Sequence, residues 1–197
     1  MTDSSAIWRE YYAKVIARPH LKRTEFSKGL NTSSLKVAID CGCGVGADIA
    51  YLLQCGYQVH GFDHNTDAIE VCRERFNSDA LVDISLDSFE TYDYPKAGLV
   101  TANSSLFFAD PQTFADAWQK IVECIDVGGV FSGDFLGDKD SWATNYRSPT
   151  TALTRDEVEQ LFTQFEIVRF EERDEDALTA RGYMKHWHVY SVVAIKR

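Results

Sequence analysis

Leu35-Lys36-Val37-Ala38-Ile39-Asp40-Cys41-Gly42-Cys43-Gly44-Val45-Gly46-Ala47 decides how this chain is read. A short apolar run that ends in an acid and three alternating glycines, followed by a helix-period segment, is the pattern of a buried strand turning sharply into a helix. Glycines permit the left-handed backbone such a turn demands and let a ligand approach bare main chain. The pattern then repeats outward. Residues 47–55 form a predicted helix stopped by Gly56, 57–63 a second strand, 67–76 a helix with Ile69, Val71, Cys72 and Phe76 inward, and 80–84 a third strand. Strands at 97–102 and 130–135 follow, the latter opened by Gly128-Gly129, and they flank a helix in which Phe114, Ala117, Trp118, Ile121, Val122 and Ile125 recur at spacings of three and four. A helix over 155–165 begins with Thr154 and Glu157 as a capping box, and strands at 166–172 and 187–195 end the chain.

Alternation of this kind predicts an α/β fold. The expected architecture is a Rossmann-like, seven-stranded, mainly parallel sheet with an antiparallel last strand and helices on both faces. A single domain is expected, with a helical cap over residues 1–34 and the core over 35–197. The chain's 197 residues suit one domain, and 45% hydrophobic content supplies its core. The formal net charge of −10 argues against a general nucleic-acid or membrane-surface binder. With no long apolar run and no signal-like N-terminus, a cytoplasmic protein is expected. The five cysteines read as reduced thiols, and Cys41 and Cys43 lack the second pair that a zinc site needs. No metal is expected.

Ligands in such folds bind at the carboxyl ends of the strands. Gly42, Gly44 and Ala47 satisfy the dinucleotide fingerprint, but Asp40 stands two residues before the first glycine. Beside a pyrophosphate, like charges about 4–6 Å apart cost on the order of 3–4 kcal/mol even at an effective dielectric of 20. S-adenosylmethionine carries an ammonium and a sulfonium and no phosphate, which turns that acid into an asset. Asp63 closes the second strand and suits ribose hydroxyls. Asp83, read as the end of the third strand, suits an adenine amine, with Ile84 packing on the ring. Each Asp alone could equally cap a turn.

These residues resemble the class I S-adenosylmethionine-dependent methyltransferases. Val37 to Gly46 is similar to that family's first motif, Gly61-Phe62-Asp63 to its second acidic position, Val82-Asp83-Ile84 to its adenine-side position, and Ile125-Asp126-Val127-Gly128-Gly129 to its Leu-x-Pro-Gly-Gly approach to the fifth strand. The short length and Arg23-Thr24-Glu25 resemble the tellurite-resistance-type small-molecule branch. The resemblance implies that Asp40, Cys41, Gly42, Cys43, Gly44 and Gly46 face the methionine end of the cofactor. It places Asp63 and His64 at the ribose, Asp83 and Ile84 at the adenine, and Asn103, Ser104 and Leu106 around the cofactor and its methyl group. Trp8, Tyr12 and Arg23 become lid contacts, Arg23 pairing with the cofactor carboxylate or standing solvated.

The expected activity is in-line methyl transfer to a small molecule, which needs no compulsory catalytic residue. His186, His188 and Tyr183 are the candidates for a base. Trp142, Tyr146 and Trp187 are candidates for the acceptor pocket, and Glu171–Asp176 reads as a solvated turn. A nicotinamide-type oxidoreductase and a non-catalytic cofactor-binding protein stand as alternatives, and the expected assembly is a monomer or homodimer.

Overall fold

The computed structural model describes Tyr12 and residues 16–77, 79–179 and 182–197; Trp8 lies outside them. The elements, in chain order, are α1 (Lys22–Leu30), β1 (Val37–Cys41), α2 (Ala47–Gln54), β2 (Gln58–Asp63), α3 (Thr66–Arg75), β3 (Val82–Leu86) and β4 (Ala97–Ala102). A 3-10 turn (Leu106–Phe108) precedes α4 (Phe114–Cys124), β5 (Ile125–Gly137), α5 (Ser141–Asn145), β6 (Ala152–Leu153), α6 (Arg155–Leu161), β7 (Phe165–Leu178) and β8 (Met184–Lys196).

The strands form one sheet in the order β3-β2-β1-β4-β5-β8-β7, with the two-residue β6 on β5. All pairs are parallel except β5–β8 and β7–β8, so β8 alone runs against the rest, as the sequence predicts. Alternating side chains divide the core in two. Ala38, Val59, Leu99, Val130 and Val193 face Ile49 and Leu52 of α2 and Ile69 and Cys72 of α3, with Phe26 and Leu30 of α1 packed alongside. Ile39, Val100, Phe131 and Val192 face Trp118 and Ile121 of α4 and Val158 of α6. The Thr154–Glu157 capping box is present.

In β3, β5 and β7 the departures from the predicted bounds move candidate residues or change their surroundings. β3 begins at Val82, and its register pairs Asp83 with His60 and Leu86 with Asp63. β5 pairs Ala97 with Ile125 and then Leu99 with Val130, so residues 126–129 leave the ladder, turned by Gly128 at φ 79°. Glu171–Asp176 is not a turn but part of β7, paired with Ser191 through His186. Its charges are compatible with a strand because it is the sheet's edge, where they discourage pairing with another chain. Lys139 adds a cation on Asp174 at 2.7 Å.

Candidate functional site

The strand order reverses between β1 and β4, and the carboxyl ends of those two strands open the crevice where such folds take ligands. Gly42, Gly44 and Gly46 have φ of 72°, 52° and 76°, the left-handed region that excludes most side chains. Gly42 and Cys43 donate their amides to the Phe62 carbonyl at 2.8 and 2.9 Å, which fastens the loop to the end of β2. A methyl on Gly42 would strike Ser105 Cβ, and one on Gly46 would strike the Phe76 ring at 2.6 Å. Gly44 differs: a Cβ there would meet only the ring of Tyr12, at 3.7 Å, which leaves a backbone cradle under an aromatic cover.

Asp40 is buried at the tip of β1, opposite Thr101 of β4, whose hydroxyl donates to its carboxylate at 2.7 Å. Burial, and then the carboxylates of Asp48 and Asp63, push its pKa up to about 8, with Thr101 opposing. Among the described residues no cationic side chain lies within ion-pair distance of it. Asp63, at the end of β2, accepts the Gly44 amide at 3.0 Å and the Asn65 amide at 2.9 Å. Burial raises its pKa against those hydrogen bonds. His64 is exposed beside it, Nδ1 3.7 Å from its carboxylate.

The side chains of Cys41 and Cys43 serve the two cores rather than the crevice. Burial raises the Cys41 thiol, and a hydrogen bond with Cys72 followed by burial raises that of Cys43. The loop therefore offers its backbone alone.

The residues after β4 join the N-terminal helix to the sheet. Asn103 donates to Asp48 at 2.9 Å and to Thr24 at 3.1 Å, and its carbonyl accepts from Arg23 at 2.6 and 3.1 Å. Arg23 also forks onto both oxygens of Asp134 at 2.6 Å, and Ser104 N–H and Ser191 hydroxyl complete that carboxylate at 2.8 and 2.5 Å. Arg23 is thus neither solvated nor turned toward a ligand carboxylate. It is spent on pinning α1 to β5, a pairing that a sequence spacing of 111 residues could not disclose. Ser104, exposed at φ 55°, is the non-glycine residue with left-handed backbone among those described.

Several expected site residues fall elsewhere. Asp83 is the second residue of β3, exposed and 3.5 Å from His60, three positions short of the rim. Ile84 packs over Gly61 in mid-sheet. The rim at β3 belongs to Leu86 and Asp87, the latter donating its amide to the Asp63 carbonyl at 3.1 Å. Leu106 is wholly buried in the core, because the 3-10 turn after β4 folds back against β5. Tyr183 is exposed in the β7–β8 turn, about 15 Å along the strand beyond His188.

Neither histidine is free to act as a base. His188 is buried; the Lys139 amide donates to Nδ1 at 3.2 Å, which leaves the proton on Nε2 to donate to Glu172 at 3.0 Å. His186 holds Asp176 and Asp174 through its two nitrogens at 2.9 and 3.0 Å. Glu172, Asp174 and His188 do bring one ligand atom each within 4.8 Å of one another, but Lys139 already supplies the positive charge there.

Trp142 stands between Tyr146 and Trp187. Ring centroids lie 4.8 Å apart for Trp142–Tyr146 and 5.6 Å for Trp142–Trp187, with Phe108 5.3 Å from Tyr146. The buried ion pair Lys185–Asp140 braces this cluster, its ammonium 4.4 and 3.8 Å from the Trp142 and Trp187 rings. Phe108, Lys185 and Asp140 escape a reading by motif because each acquires its place only through contacts across the fold.

Residues 38–129 match the family model of a methyltransferase domain. No curated protein matches the chain by sequence. Among solved structures, the chain is similar to TehB from Haemophilus influenzae at 18% identity and TM-score 0.74, covering 92% of this chain and 63% of that one. The chain therefore spans less than two thirds of that protein's length. It is similar to the 1,6-didemethyltoxoflavin-N1-methyltransferase of Burkholderia thailandensis, solved with S-adenosylhomocysteine, at 16% identity and TM-score 0.65 over 98% and 84% of the two chains. Magnesium protoporphyrin IX methyltransferase of Synechocystis PCC 6803, solved with S-adenosylmethionine, matches at 12% and 0.62 over 100% and 86%.

Proposed function

We propose that the protein is an S-adenosylmethionine-dependent methyltransferase acting on a small molecule, a reading supported by the match of residues 38–129 to the family model of a methyltransferase domain. The observation that carries the reading is Asp40, a buried carboxylate flanked by Asp48 and Asp63 and lacking, among the described residues, a cation of its own. A pyrophosphate would add negative charge at that point. An ammonium and a sulfonium supply the missing positive charge, so the residues present fit this donor. Two of the similar proteins were solved with the methyl donor or its product.

The donor, when bound, supplies an electrophilic methyl whose carbon–sulfur electron pair stays on sulfur as a neutral thioether. The protein's part is to bind and orient. Asp40 accepts the donor's positive end while Thr101 holds the carboxylate still. The left-handed glycines present main chain without side chains, and Tyr12 covers Gly44. Asp63 offers its remaining lone pairs to ribose hydroxyls with His64 beside it, and Leu86 and Asp87, rather than Asp83 and Ile84, stand at the adenine end. Ser104 marks the tip of β4 toward the acceptor. A thioether leaves without an acid, in keeping with two histidines whose nitrogens are all engaged. Arg23 acts at one remove, keeping α1 in place through Asp134.

The small-molecule assignment rests on the net charge of −10, which disfavours nucleic acid. No helix among the described residues is long and apolar enough to cross a membrane. Calorimetric titration with S-adenosylhomocysteine and, separately, with NADH tests the reading. The demethylated product should bind and NADH should not; NADH binding in the crevice would refute it.

A further inference from the structure

The crevice opens at β1 and β4, but a second group of polar side chains stands at one end of the sheet, on β7 and β8. The β5–β8 ladder ends at the Leu136–Val189 pair, whereas β7 and β8 stay paired as far as Leu178 and Met184. From His188 outward no third strand continues the ladder, and a two-stranded ribbon needs further support. On one face at that point stand Glu172, Asp174 and Asp176 of β7 and His186 and His188 of β8, since residues two apart share a face. We propose that His188, Glu172 and Asp174 bind a divalent transition-metal ion of the zinc class, which cross-links β7 to β8 where β5 leaves them. The site uses none of the cysteines and stands apart from the methyltransferase reading.

One ligand atom from each of the three residues lies within 4.8 Å of the others. Zinc bonds to nitrogen and oxygen of about 2.0–2.2 Å hold ligands up to about 4 Å apart. The exposed carboxylates of Glu172 and Asp174 can close that gap while His188 stays fixed. The His188 ring is buried, packed against Gly137, where a Cβ would strike it, and against Tyr190, with ring centroids 4.9 Å apart. Its Nε2 faces Glu172 at 3.0 Å. Two neighbours orient the ligands from outside, as the partners of metal-binding histidines and carboxylates do. Asp138 Oδ1 lies 3.4 Å from His188 Nδ1, and His186 Nε2 lies 3.0 Å from Asp174. An imidazole among the donors selects transition ions over magnesium and calcium, which take oxygen. Three protein ligands leave the fourth position of a tetrahedral ion to water.

Without a metal, Lys139 engages the site twice. Its ammonium sits on Asp174 at 2.7 Å, and its amide donates to His188 Nδ1 at 3.2 Å, with the ring proton on Nε2. Binding reverses both. The Nε2 lone pair goes to the ion, and the single ring proton moves to Nδ1, where Asp138 accepts it. The imidazole stays neutral, the Lys139 amide turns to solvent, and its exposed ammonium gives up a surface ion pair of small worth. Charge supports the exchange. With neutral rings, Asp138, Glu172, Asp174 and Asp176 carry four negative charges, and the cations paired with them among the described residues are Lys139 and Arg155. A divalent ion in place of the ammonium compensates one charge more.

The test takes the full chain, stripped with a chelator and dialysed, and titrates it by calorimetry with zinc chloride and, separately, with magnesium chloride. The expected result is one zinc ion per chain, bound at micromolar affinity or tighter, and no magnesium. Glu172→Gln keeps an acceptor for His188 Nε2, and Asp174→Asn loses only surface ion pairs, so both should keep the native melting temperature in chelator. Each should nevertheless bind zinc at least tenfold more weakly. Lys139→Met removes the competing ammonium and should tighten zinc severalfold. Nitrogen-15 NMR of the histidine rings reads the exchange itself: His188 should carry its proton on Nε2 in chelator and on Nδ1 with zinc. Zinc held elsewhere, by the Cys55 thiol or a surface histidine, would leave that ring as it was. An unchanged His188 tautomer at saturating zinc, undiminished zinc affinity in Glu172→Gln and Asp174→Asn, equal binding of magnesium, or no binding of zinc would each overturn the inference.

Discussion

Replacing Asp40 by asparagine tests the electrostatics on which the donor assignment stands. In the folded protein burial, Asp48 and Asp63 hold the Asp40 proton to about pH 8, against 3.8 for an unperturbed carboxyl. Between those values the folded state keeps a proton that the unfolded chain has released. Stability therefore falls as pH rises through this window, the reverse of a salt-bridged carboxylate. The slope is about 1.4 kcal/mol per pH unit, so pH 5 to pH 8 removes up to about 4 kcal/mol. Water penetration and relaxation at an effective dielectric near 20 bring the expectation to about 2–4 kcal/mol. The amide of the Asp40→Asn variant keeps an acceptor for the Thr101 hydroxyl and cannot ionise, so the variant lacks this slope, and Asp48 and Asp63 lose the neighbouring charge that opposes their own ionisation. Urea unfolding of both proteins at pH 5, 6.5 and 8 reads the difference. With an m-value of about 3 kcal/mol/M, the variant's midpoint should gain about 0.7–1.3 M on the native protein across that range. Parallel pH profiles would refute the reasoning. The same carboxyl must ionise to receive a cationic ligand, so S-adenosylhomocysteine binding at pH 7 should release close to one proton, measured by calorimetry in buffers of different ionisation enthalpy, and the variant should release none.

Asp63→Ala removes the acceptor of the Gly44 and Asn65 amides as well as the proposed ribose contact; S-adenosylhomocysteine should bind at least tenfold more weakly by calorimetry, and unchanged affinity would dismiss the ribose role. Gly42→Ala forces a side chain at φ 72° into Ser105 Cβ, and should cost about 2–4 kcal/mol in chemical denaturation. Arg23→Ala strands the buried Asp134 and should lower stability by about 3 kcal/mol, or roughly 6–12 °C in melting temperature; the double variant Arg23→Met/Asp134→Leu should recover much of that loss. Of the five free thiols only Cys55 is not buried, so a thiol reagent should label one cysteine rapidly in native buffer and five in urea.

Much of the site was legible because it is local. A glycine loop between an apolar run and a helix-period segment reports its own backbone, and Asp40 and Asp63 sit within two residues of it or at the end of a strand whose length the next turn declares. The failures share one cause. The stretch 80–84 reads as a strand with Asp83 at its end, but the strand's position is set by pairing with β2, and the ladder places Asp83 opposite His60. His186 and His188 look available in sequence because the carboxylates that occupy them, Asp174, Asp176 and Glu172, arrive on another strand.

From the sequence by itself came the α/β alternation, the glycine turn and the capping box, since each is written in side-chain periodicity or in backbone freedom over a dozen residues. Only the tertiary structure decided which acids share the rim, that Glu171–Asp176 is an edge strand, and that Arg23 belongs to Asp134. Those outcomes depend on register and on contacts between residues up to 111 positions apart, and a one-dimensional pattern carries no term for the free energy of such a meeting.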